Sequence, residues 1–291
     1  LNKIIPLKQM FEVNMKYSEY SKEIRKGKLI HFCSWIPEGK LSASMVLIHG
    51  LGEHCRRYGT HFADFYTNHN IGITSFDLPG HGLSYGKRGH IDDPNYLLEI
   101  IDGLLDECRG NFPGLPLFLY GHSLGGEIGL WYNLARKPKL SGVIITSPVI
   151  WIKEPLSPLK MFFAKIMDKV FPSFTMDNDI NPQDLSKDKM VVAQYVEDPL
   201  VHSMVSARTG MVIINRGQWI LENAAENSND LLLMVGDKEN IVSIEAIEIF
   251  SHTAPRITYK LWPGYFHELH NELEKQEVFD YTLDWMKKHI N

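Results

Sequence analysis

Ser123 lies in the pentapeptide Gly121-His122-Ser123-Leu124-Gly125, which has the form G-x-S-x-G. The apolar run Pro116 to Tyr120 precedes it, and the helix-like stretch Gly126 to Ala135 follows it. A serine hydroxyl can attack a carbonyl carbon when a sharp strand-to-helix turn projects it, and flanking glycines make room for that strained turn. The sequence therefore predicts a nucleophilic serine.

A serine hydroxyl is a weak nucleophile at neutral pH and needs a base. In strand-turn-helix sites of this kind the acid and then the histidine follow the serine along the chain. His267 comes directly after a predicted strand that ends near Trp262, where an imidazole can reach the same sheet edge. His252 and His289 end predicted helices, where a surface or helix-dipole role fits better. We predict His267 as the base.

The acid that orients the imidazole is expected in the turn after the predicted strand Leu231 to Gly236. Two carboxylates, Asp237 and Glu239, compete in that turn. Glu239 stands three residues past the strand-ending glycine, which is the usual placement. Asp237 can instead shape the turn by accepting backbone hydrogen bonds. We favour Glu239 and keep Asp237 as its rival.

Negative charge that develops on the carbonyl oxygen needs two backbone N–H donors. The amide after the nucleophile, Leu124, is the first candidate. The second is expected in the loop His49-Gly50-Leu51-Gly52-Glu53-His54, which follows the predicted strand Ser44 to His49 and whose glycines let it approach a substrate. We assign the N–H of Leu51.

Composition narrows the function classes. The chain has 291 residues, 44% of them hydrophobic and 22% charged, which is typical of a folded soluble protein. Its net charge is −5, and its basic pairs are too short to follow a phosphate backbone, so nucleic acid is not an expected partner. The first twenty residues lack the apolar core of a signal peptide, and no later run approaches ~18 apolar residues.

Neither a metal nor a cofactor is predicted. Cys33, Cys55 and Cys108 are too few and too scattered for a disulfide framework or a cysteine-based zinc site, so a reducing cytoplasm is expected. In His267-Glu268-Leu269-His270 the histidines are three residues apart, whereas a zinc-binding helix needs four. No glycine-rich nucleotide-binding turn is present.

Short apolar runs alternate with amphipathic stretches, a pattern typical of a parallel sheet with crossover helices. Strands are predicted at Ser44 to His49, Gly72 to Leu78, Pro116 to Tyr120, Gly142 to Ser147, Leu231 to Gly236 and Ile257 to Trp262, after an antiparallel entry hairpin at Phe11 to Tyr17 and Leu29 to Trp35. Helices are predicted at Tyr58 to Asn68, Tyr96 to Arg109, Leu124 to Ala135, Ser243 to Ser251 and Glu272 to His289.

About 80 residues separate the strands that end at Ser147 and begin at Leu231, far more than one crossover needs. We therefore divide the chain into a core, residues 1–147 and 229–291, and an inserted cap, residues 148–228. The first half of the cap is rich in Phe and Met, which make adaptable apolar surface. These side chains are suited to a lid over an acyl-chain channel or to a small core of the cap itself, and one cap could do both.

Several motifs together carry a family resemblance. They are His49 to His54 with Arg57-Tyr58, Asp77 through Gly80-His81-Gly82-Leu83-Ser84, Gly121 to Gly126, and His267 with His270 and Glu272. With them the chain resembles the monoglyceride lipase and lysophospholipase branch of the alpha/beta-hydrolase superfamily. The resemblance implies an α/β fold with a mostly parallel central sheet, flanking helices and a helical cap.

The resemblance also implies roles for further residues. Glu53, Arg57 and His270 match family residues that line a polar pocket for the glycerol leaving group, and Tyr195 matches a cap tyrosine that closes it. Glu239 departs from the family, which normally has aspartate there.

The expected reaction is hydrolysis of a single-chain lipid ester, most simply monoacylglycerol, through an acyl-enzyme on Ser123. A lysophospholipase and a broad carboxylesterase are alternatives on the same scaffold, and a non-catalytic lipid- or partner-binding protein is a remote one. An exposed apolar cap would also make transient contact with a membrane surface or a second subunit, and the sequence does not choose between them.

Overall fold

The computed structural model describes residues 15–154 and 156–290. Its strands are β1 (Met15–Arg25), β2 (Lys28–Pro37), β3 (Ala43–Ile48), β4 (Ile71–Phe76), β5 (Leu117–His122), β6 (Gly142–Thr146), β7 (Thr175–Asp177), β8 (Met204–Ser206), β9 (Leu231–Gly236) and β10 (Ile257–Trp262). Its α-helices are α1 (His61–Asn68), α2 (Pro94–Asn111), α3 (Leu124–Arg136), α4 (Pro158–Val170), α5 (Lys189–Glu197), α6 (Ala207–Glu222), α7 (Ile244–Thr253) and α8 (Lys275–Lys287).

Eight strands form the main sheet in the order β1-β2-β4-β3-β5-β6-β9-β10. The six strands from β4 to β10 in that order are parallel, and β1 and β2 are antiparallel to their neighbours. This is the predicted α/β architecture, and the prediction is confirmed. Because parallel strands end at one edge, the loops after β3, β5, β9 and β10 meet there.

The strands β3, β4, β5, β6 and β9 are buried along their whole length, which explains their apolar runs. Along β3, Met45 and Leu47 point into a cluster that includes side chains of α1 and α8. Val46 and Ile48 point the other way, into a cluster that includes side chains of α2, α3 and α7. These two cores fix the strand ends that carry the site.

The entry hairpin is confirmed, but its bounds were wrong. β1 continues to Arg25 and pairs along its length with β2 through a turn at Gly27. The residues of β1 are half-buried or exposed, because it is an edge strand, so its second half has no apolar pattern to detect. The predicted start, residues 11–14, lies outside the described residues.

The segment between β6 and β9, residues 148–228, holds α4, α5, α6 and the two-stranded sheet β7-β8. β6 and β9 are neighbours in the main sheet, so the chain leaves the sheet and returns beside its point of exit. None of the helices in the described part of the chain is long and apolar enough to cross a bilayer.

The cysteines are less scattered in space than in sequence. The sulfur atoms of Cys33 and Cys55 lie 2.8 Å apart, and both residues are fully buried. Nε2 of His31 is 3.7 Å from the sulfur of Cys33. Linear spacing missed this cluster because packing of β2 against the turn Cys55–Tyr58 creates it.

Candidate active site

Ser123 stands between β5 and α3 with a backbone φ of 54° and ψ of −118°, a conformation that L residues rarely adopt. The neighbouring glycines are sterically required. A Cβ at Gly121 would collide with the carbonyl oxygen of Gly125, and a Cβ at Gly125 would collide with that of Ile48. The strained turn therefore packs tightly against the end of β3, as the pentapeptide predicted.

Ser123, His267 and Glu239 form one chain of hydrogen bonds. Nε2 of His267 lies 2.9 Å from Oγ of Ser123, and Nδ1 of His267 lies 2.7 Å from Oε2 of Glu239. His267 and Glu239 are 2% exposed and Ser123 is 9% exposed. The tautomer that satisfies both bonds carries the proton on Nδ1, so Nε2 is free to accept the serine proton.

Glu239 rather than Asp237 contacts the imidazole. The other carboxylate oxygen of Glu239 accepts hydrogen bonds from the amides of Ile241 and Val242 at 2.7 and 3.2 Å. Asp237 instead accepts a hydrogen bond from the amide of Gly264 at 2.6 Å, which holds the turn between β10 and His267. The loop after β9 accommodates the extra methylene of glutamate, because its amides at Ile241 and Val242 hold the carboxylate in place.

Glu239 makes His267 a stronger base, and His267 in turn favours the ionised form of Glu239. Burial alone would lower the pKa of His267, but the charge and hydrogen bond of Glu239 outweigh it and raise that pKa. Burial would raise the pKa of Glu239, but His267 and the two amides hold it below its ordinary value. Glu239 is therefore ionised and stabilises an imidazolium when the serine proton arrives.

The loop after β3 lies against the nucleophile. A Cβ at Gly50 would lie 3.2 Å from Cβ of Ser123. The amides of Leu51 and Leu124 donate to no protein atom within residues 15–154 and 156–290, so both are available to an oxyanion. The amide of Gly50 donates to Oε1 of Glu53 at 2.6 Å, which fixes the loop.

Glu53, Arg57 and Glu268 form a buried charged cluster beside the serine. Nη1 of Arg57 donates to Glu53 at 2.6 Å and to Glu268 at 2.7 Å, and Nη2 donates to the second oxygen of Glu268 at 2.8 Å. The hydroxyl of Tyr58 also donates to Glu53 at 3.0 Å. The sequence pointed to Glu53 and Arg57 but not to Glu268, whose only sequence signal is its place beside His267.

His270 and Tyr195 also lie near the charged cluster. The ring of His270 stacks on Tyr58 with centroids 4.8 Å apart, and burial lowers the pKa of His270 to about 4. The ring of Tyr195 covers the guanidinium of Arg57 at 4.8 Å. His122 lies between His267 and His270, 4.8 Å from each ring, although its position in the sequence does not predict a part in the site.

A small cavity opens beside Ser123. Its lining residues come from the loop after β3, from β5, from the cap and from the loops after β9 and β10: Gly50, Leu51, Glu53, His122, Ser123, Ile180, Leu185, Tyr195, Ile241, His267 and Glu268. Arg57 and His270 stand behind this wall rather than in it, which departs from the predicted lining. The wall is apolar at Ile180, Leu185 and Ile241 and acidic at Glu53 and Glu268.

Residues 198 and 202 of the segment between β6 and β9 contact the loop after β3, His49 to His54, directly. The amide of His202 donates to the carbonyl oxygen of Gly52 at 2.9 Å. Nε2 of His54 lies 2.9 Å from a carboxylate oxygen of Asp198. Residues 198–202 therefore fasten the cap to the loop that carries Leu51.

Comparison with known proteins agrees with this geometry. Residues 39–274 match the sequence profile of a hydrolase family described as serine aminopeptidase, S33. The chain belongs to this family. Its fold is the alpha/beta-hydrolase fold that the motifs indicated.

Individual relatives cover most of the chain. A monoacylglycerol lipase of Mycolicibacterium smegmatis is 29% identical over 281 residues, which are 96% of this chain and 100% of that protein. The crystal structure of Paleococcus ferrophilus monoacylglycerol lipase superposes with a TM-score of 0.79 at 28% identity, covering 94% of this chain and 99% of that one. An uncharacterized abhydrolase domain-containing protein of Dictyostelium discoideum is 35% identical over 261 residues, and this chain spans 27% of its length.

Proposed function

We propose that this protein is a serine hydrolase of single-chain lipid esters and that its main reaction cleaves monoacylglycerol to fatty acid and glycerol. The observation that carries the proposal is the hydrogen-bond chain from Ser123 through His267 to Glu239. Two relatives that span nearly the whole chain are named monoacylglycerol lipases, which supports the choice of substrate.

In the first half of the reaction His267 takes the proton of Ser123 as the hydroxyl oxygen attacks the acyl carbonyl carbon. The amides of Leu51 and Leu124 stabilise the oxyanion, and Glu239 stabilises the imidazolium. Protonated His267 then gives its proton to the departing alcohol oxygen, which leaves the acyl group on Ser123.

In the second half a water molecule takes the place of the alcohol. His267 accepts a proton from the water as its oxygen attacks the acyl-enzyme, and the same two amides hold the oxyanion. Collapse of the tetrahedral intermediate returns the proton to Ser123 and releases the fatty acid.

The cavity lining offers both apolar and polar side chains, as such an ester requires. Ile180, Leu185 and Ile241 offer an apolar wall to the acyl tail, and each buried methylene contributes about 0.8 kcal/mol. Glu53 and Tyr195, which the family resemblance assigns to the glycerol pocket, line the same cavity, and we assign the hydroxyls of glycerol to them. Residues 148–228 serve as the cap over this cavity.

Helix α4 gives the cap a surface for lipid. It buries none of its side chains, and Leu159, Phe162, Phe163 and Val170 are each more than half exposed. These residues therefore do not build a core of the cap, which was one of the two roles considered for them. We assign this face to transient docking on the membrane surface from which a lipid ester is drawn.

The free thiols of Cys33, Cys55 and Cys108 support a location in the reducing cytoplasm. No cofactor is required by the proposed chemistry, since the base, the acid and the oxyanion donors all come from the chain.

The test is a panel of esters in which acyl length and alcohol are varied independently. We expect kcat/KM to climb with acyl length until the channel ends and to favour glycerol over simple alcohols. Equal rates across acyl lengths and alcohols would establish a broad carboxylesterase instead. Failure of a fluorophosphonate to label Ser123, with no turnover of any ester, would establish the non-catalytic alternative.

A further inference from the structure

Glu268 lies in the wall of the cavity that contains Ser123, next in sequence to His267. It is 2% exposed, and both of its carboxylate oxygens bond to the guanidinium of Arg57. Nothing in the proposed hydrolysis requires a carboxylate at this position. It nevertheless lines the same cavity as Ser123 and Glu53, the residue to which the proposed function assigns the alcohol part of the ester.

Three of the five N–H groups of Arg57 already donate to carboxylate oxygens. Both of its terminal nitrogens are engaged by Glu268, one of them also by Glu53, and the ring of Tyr195 covers one face. The guanidinium stands behind the cavity wall, whereas both glutamates form part of it. An incoming group therefore meets carboxylate oxygens before it meets the cation.

The cluster carries a net negative charge. Burial would raise the pKa of Glu268, but Arg57 outweighs it and lowers that pKa to about 2, so this carboxylate stays ionised. Burial lowers the pKa of the nearby His270 to about 4 and that of His122 well below its ordinary value, so neither imidazole is charged at neutral pH. Two carboxylates thus face one guanidinium, a formal charge of −1.

We propose that Glu268 is a charge filter for the alcohol end of the substrate, admitting neutral hydroxylated groups and rejecting phosphate-bearing ones. The proposal rests on the proposed ester hydrolysis and specifies its substrate class. Hydroxyl groups can donate to the oxygens of Glu53 and Glu268, whereas a phosphate presents further negative charge to them. Freeing Arg57 for the phosphate would strand a buried carboxylate, which is strongly unfavourable.

The experiment compares 1-acylglycerol with 1-acylglycerol 3-phosphate, with the same medium-length acyl group and both kept below the concentration at which they form micelles. We expect the wild type to favour the neutral ester in kcat/KM by at least about tenfold, since unscreened like charges repel strongly in a buried site. Glu268→Gln, which keeps the shape and removes the charge, should reduce that preference by at least about tenfold. Glu197→Gln, at an exposed residue of the cap, is the control. It should leave the ratio of the two kcat/KM values unchanged.

Each outcome decides one question. A purely structural role for Glu268 would lower both rates together in Glu268→Gln and leave their ratio intact, which would overturn the filter. A wild type that hydrolyses both lipids equally would overturn it without any variant, even if Glu268→Gln does not fold. Absence of Ser123-dependent turnover of the neutral ester would instead refute the proposed function, and a soluble p-nitrophenyl ester separates that failure from loss of the filter alone.

Discussion

Nε2 of His267 lies 2.9 Å from Oγ of Ser123, although 144 residues separate them in the chain. Ser123 follows β5 and His267 lies in the loop after β10, with β6 and β9 between those strands in the sheet. The contact therefore depends on the loop after β10 reaching back along the sheet edge. Ser147, the residue directly after β6, supports that loop by donating to the carbonyl oxygen of His267 at 2.9 Å.

Removing the nucleophile tests the proposed chemistry most directly. Ser123→Ala should lower kcat/KM for an ester by about 10⁴-fold or more, because the remaining binding and oxyanion contacts give only residual catalysis. Labelling by a fluorophosphonate should disappear with it. Ser228→Ala, at an exposed serine, is the matched control. Wild-type rates from Ser123→Ala would show that another group attacks the ester.

The pH profile should report the pair His267–Glu239. Neutral imidazole is the base, so kcat/KM should fall as pH drops through the pKa of His267, and this limb should lie above the ordinary value of 6.5 because Glu239 raises that pKa. Glu239→Gln removes the raising charge, so the limb should move to lower pH while the maximal rate falls by up to about 10⁴-fold. A limb that stays in place in Glu239→Gln would exclude Glu239 as its cause.

The positive φ of Ser123 should be measurable as strain. Such a conformation costs a non-glycine residue about 1–3 kcal/mol, and glycine adopts it freely at a smaller entropic cost. Ser123→Gly should therefore unfold at a higher urea concentration than Ser123→Ala, with a free energy of unfolding about 1 kcal/mol larger. Both variants are inactive, so stability is compared without a functional difference. Equal midpoints would mean that the elbow stores no strain.

A buried acid beneath the cap should make stability depend on pH. Glu127 on α3 is fully buried, and its carboxylate lies 3.6 Å from Nη1 of Arg216 on α6. Burial raises the pKa of Glu127 to about 8, although the charge of Arg216 acts to lower it. The folded protein thus holds this proton more tightly than the unfolded chain, so the stability it contributes is lost as pH rises from about 4.5 through about 8.

Glu127→Gln cannot lose that proton. Its free energy of unfolding relative to wild type should therefore increase between about pH 5 and about pH 9. Urea denaturation at each pH measures this difference. Glu197→Gln, at an exposed position of the cap, should track wild type throughout. Parallel curves for Glu127→Gln and wild type would show that Glu127 ionises normally.

The docking face of α4 can be tested apart from catalysis. Replacing both Phe162 and Phe163 by serine should lower binding to phospholipid vesicles by about tenfold or more, since each exposed ring would otherwise enter the bilayer interface. Hydrolysis of a soluble short-chain ester should be unchanged. Ile249 and Leu273 are also exposed but lie outside the cap. Replacing both of them by serine controls for a general loss of apolar surface. Unchanged vesicle binding would contradict the assignment.

Local pattern was sufficient to predict most of the fold. The strands β3, β4, β5, β6 and β9 appear in sequence as short apolar runs, because they are buried on both faces of the sheet. The elbow at Ser123 was predictable because its steric demands fall on immediate neighbours, Gly121 and Gly125. β1 was misplaced because an edge strand has little to bury and so leaves little pattern.

Contacts between distant segments could not be predicted in the same way. Glu268 is 211 residues from Arg57, and nothing in its neighbourhood in the chain announces that partner. Cys33 and Cys55 meet only because β2 packs on the turn after the oxyanion loop. The exposure of α4 is also a tertiary fact, because its Phe and Met content fits a buried core and an outer face equally well.

The two bonds that tie residues 198 to 202 to the oxyanion loop have a consequence for timing. Any swing of the cap wide enough to admit a lipid breaks the bond from His202 to Gly52 and the contact between His54 and Asp198. The loop that carries Leu51 would then lose both contacts with the cap while the cavity is open to water. If the cap opens to admit substrate, we expect hydrolysis to begin only after both of these contacts have re-formed.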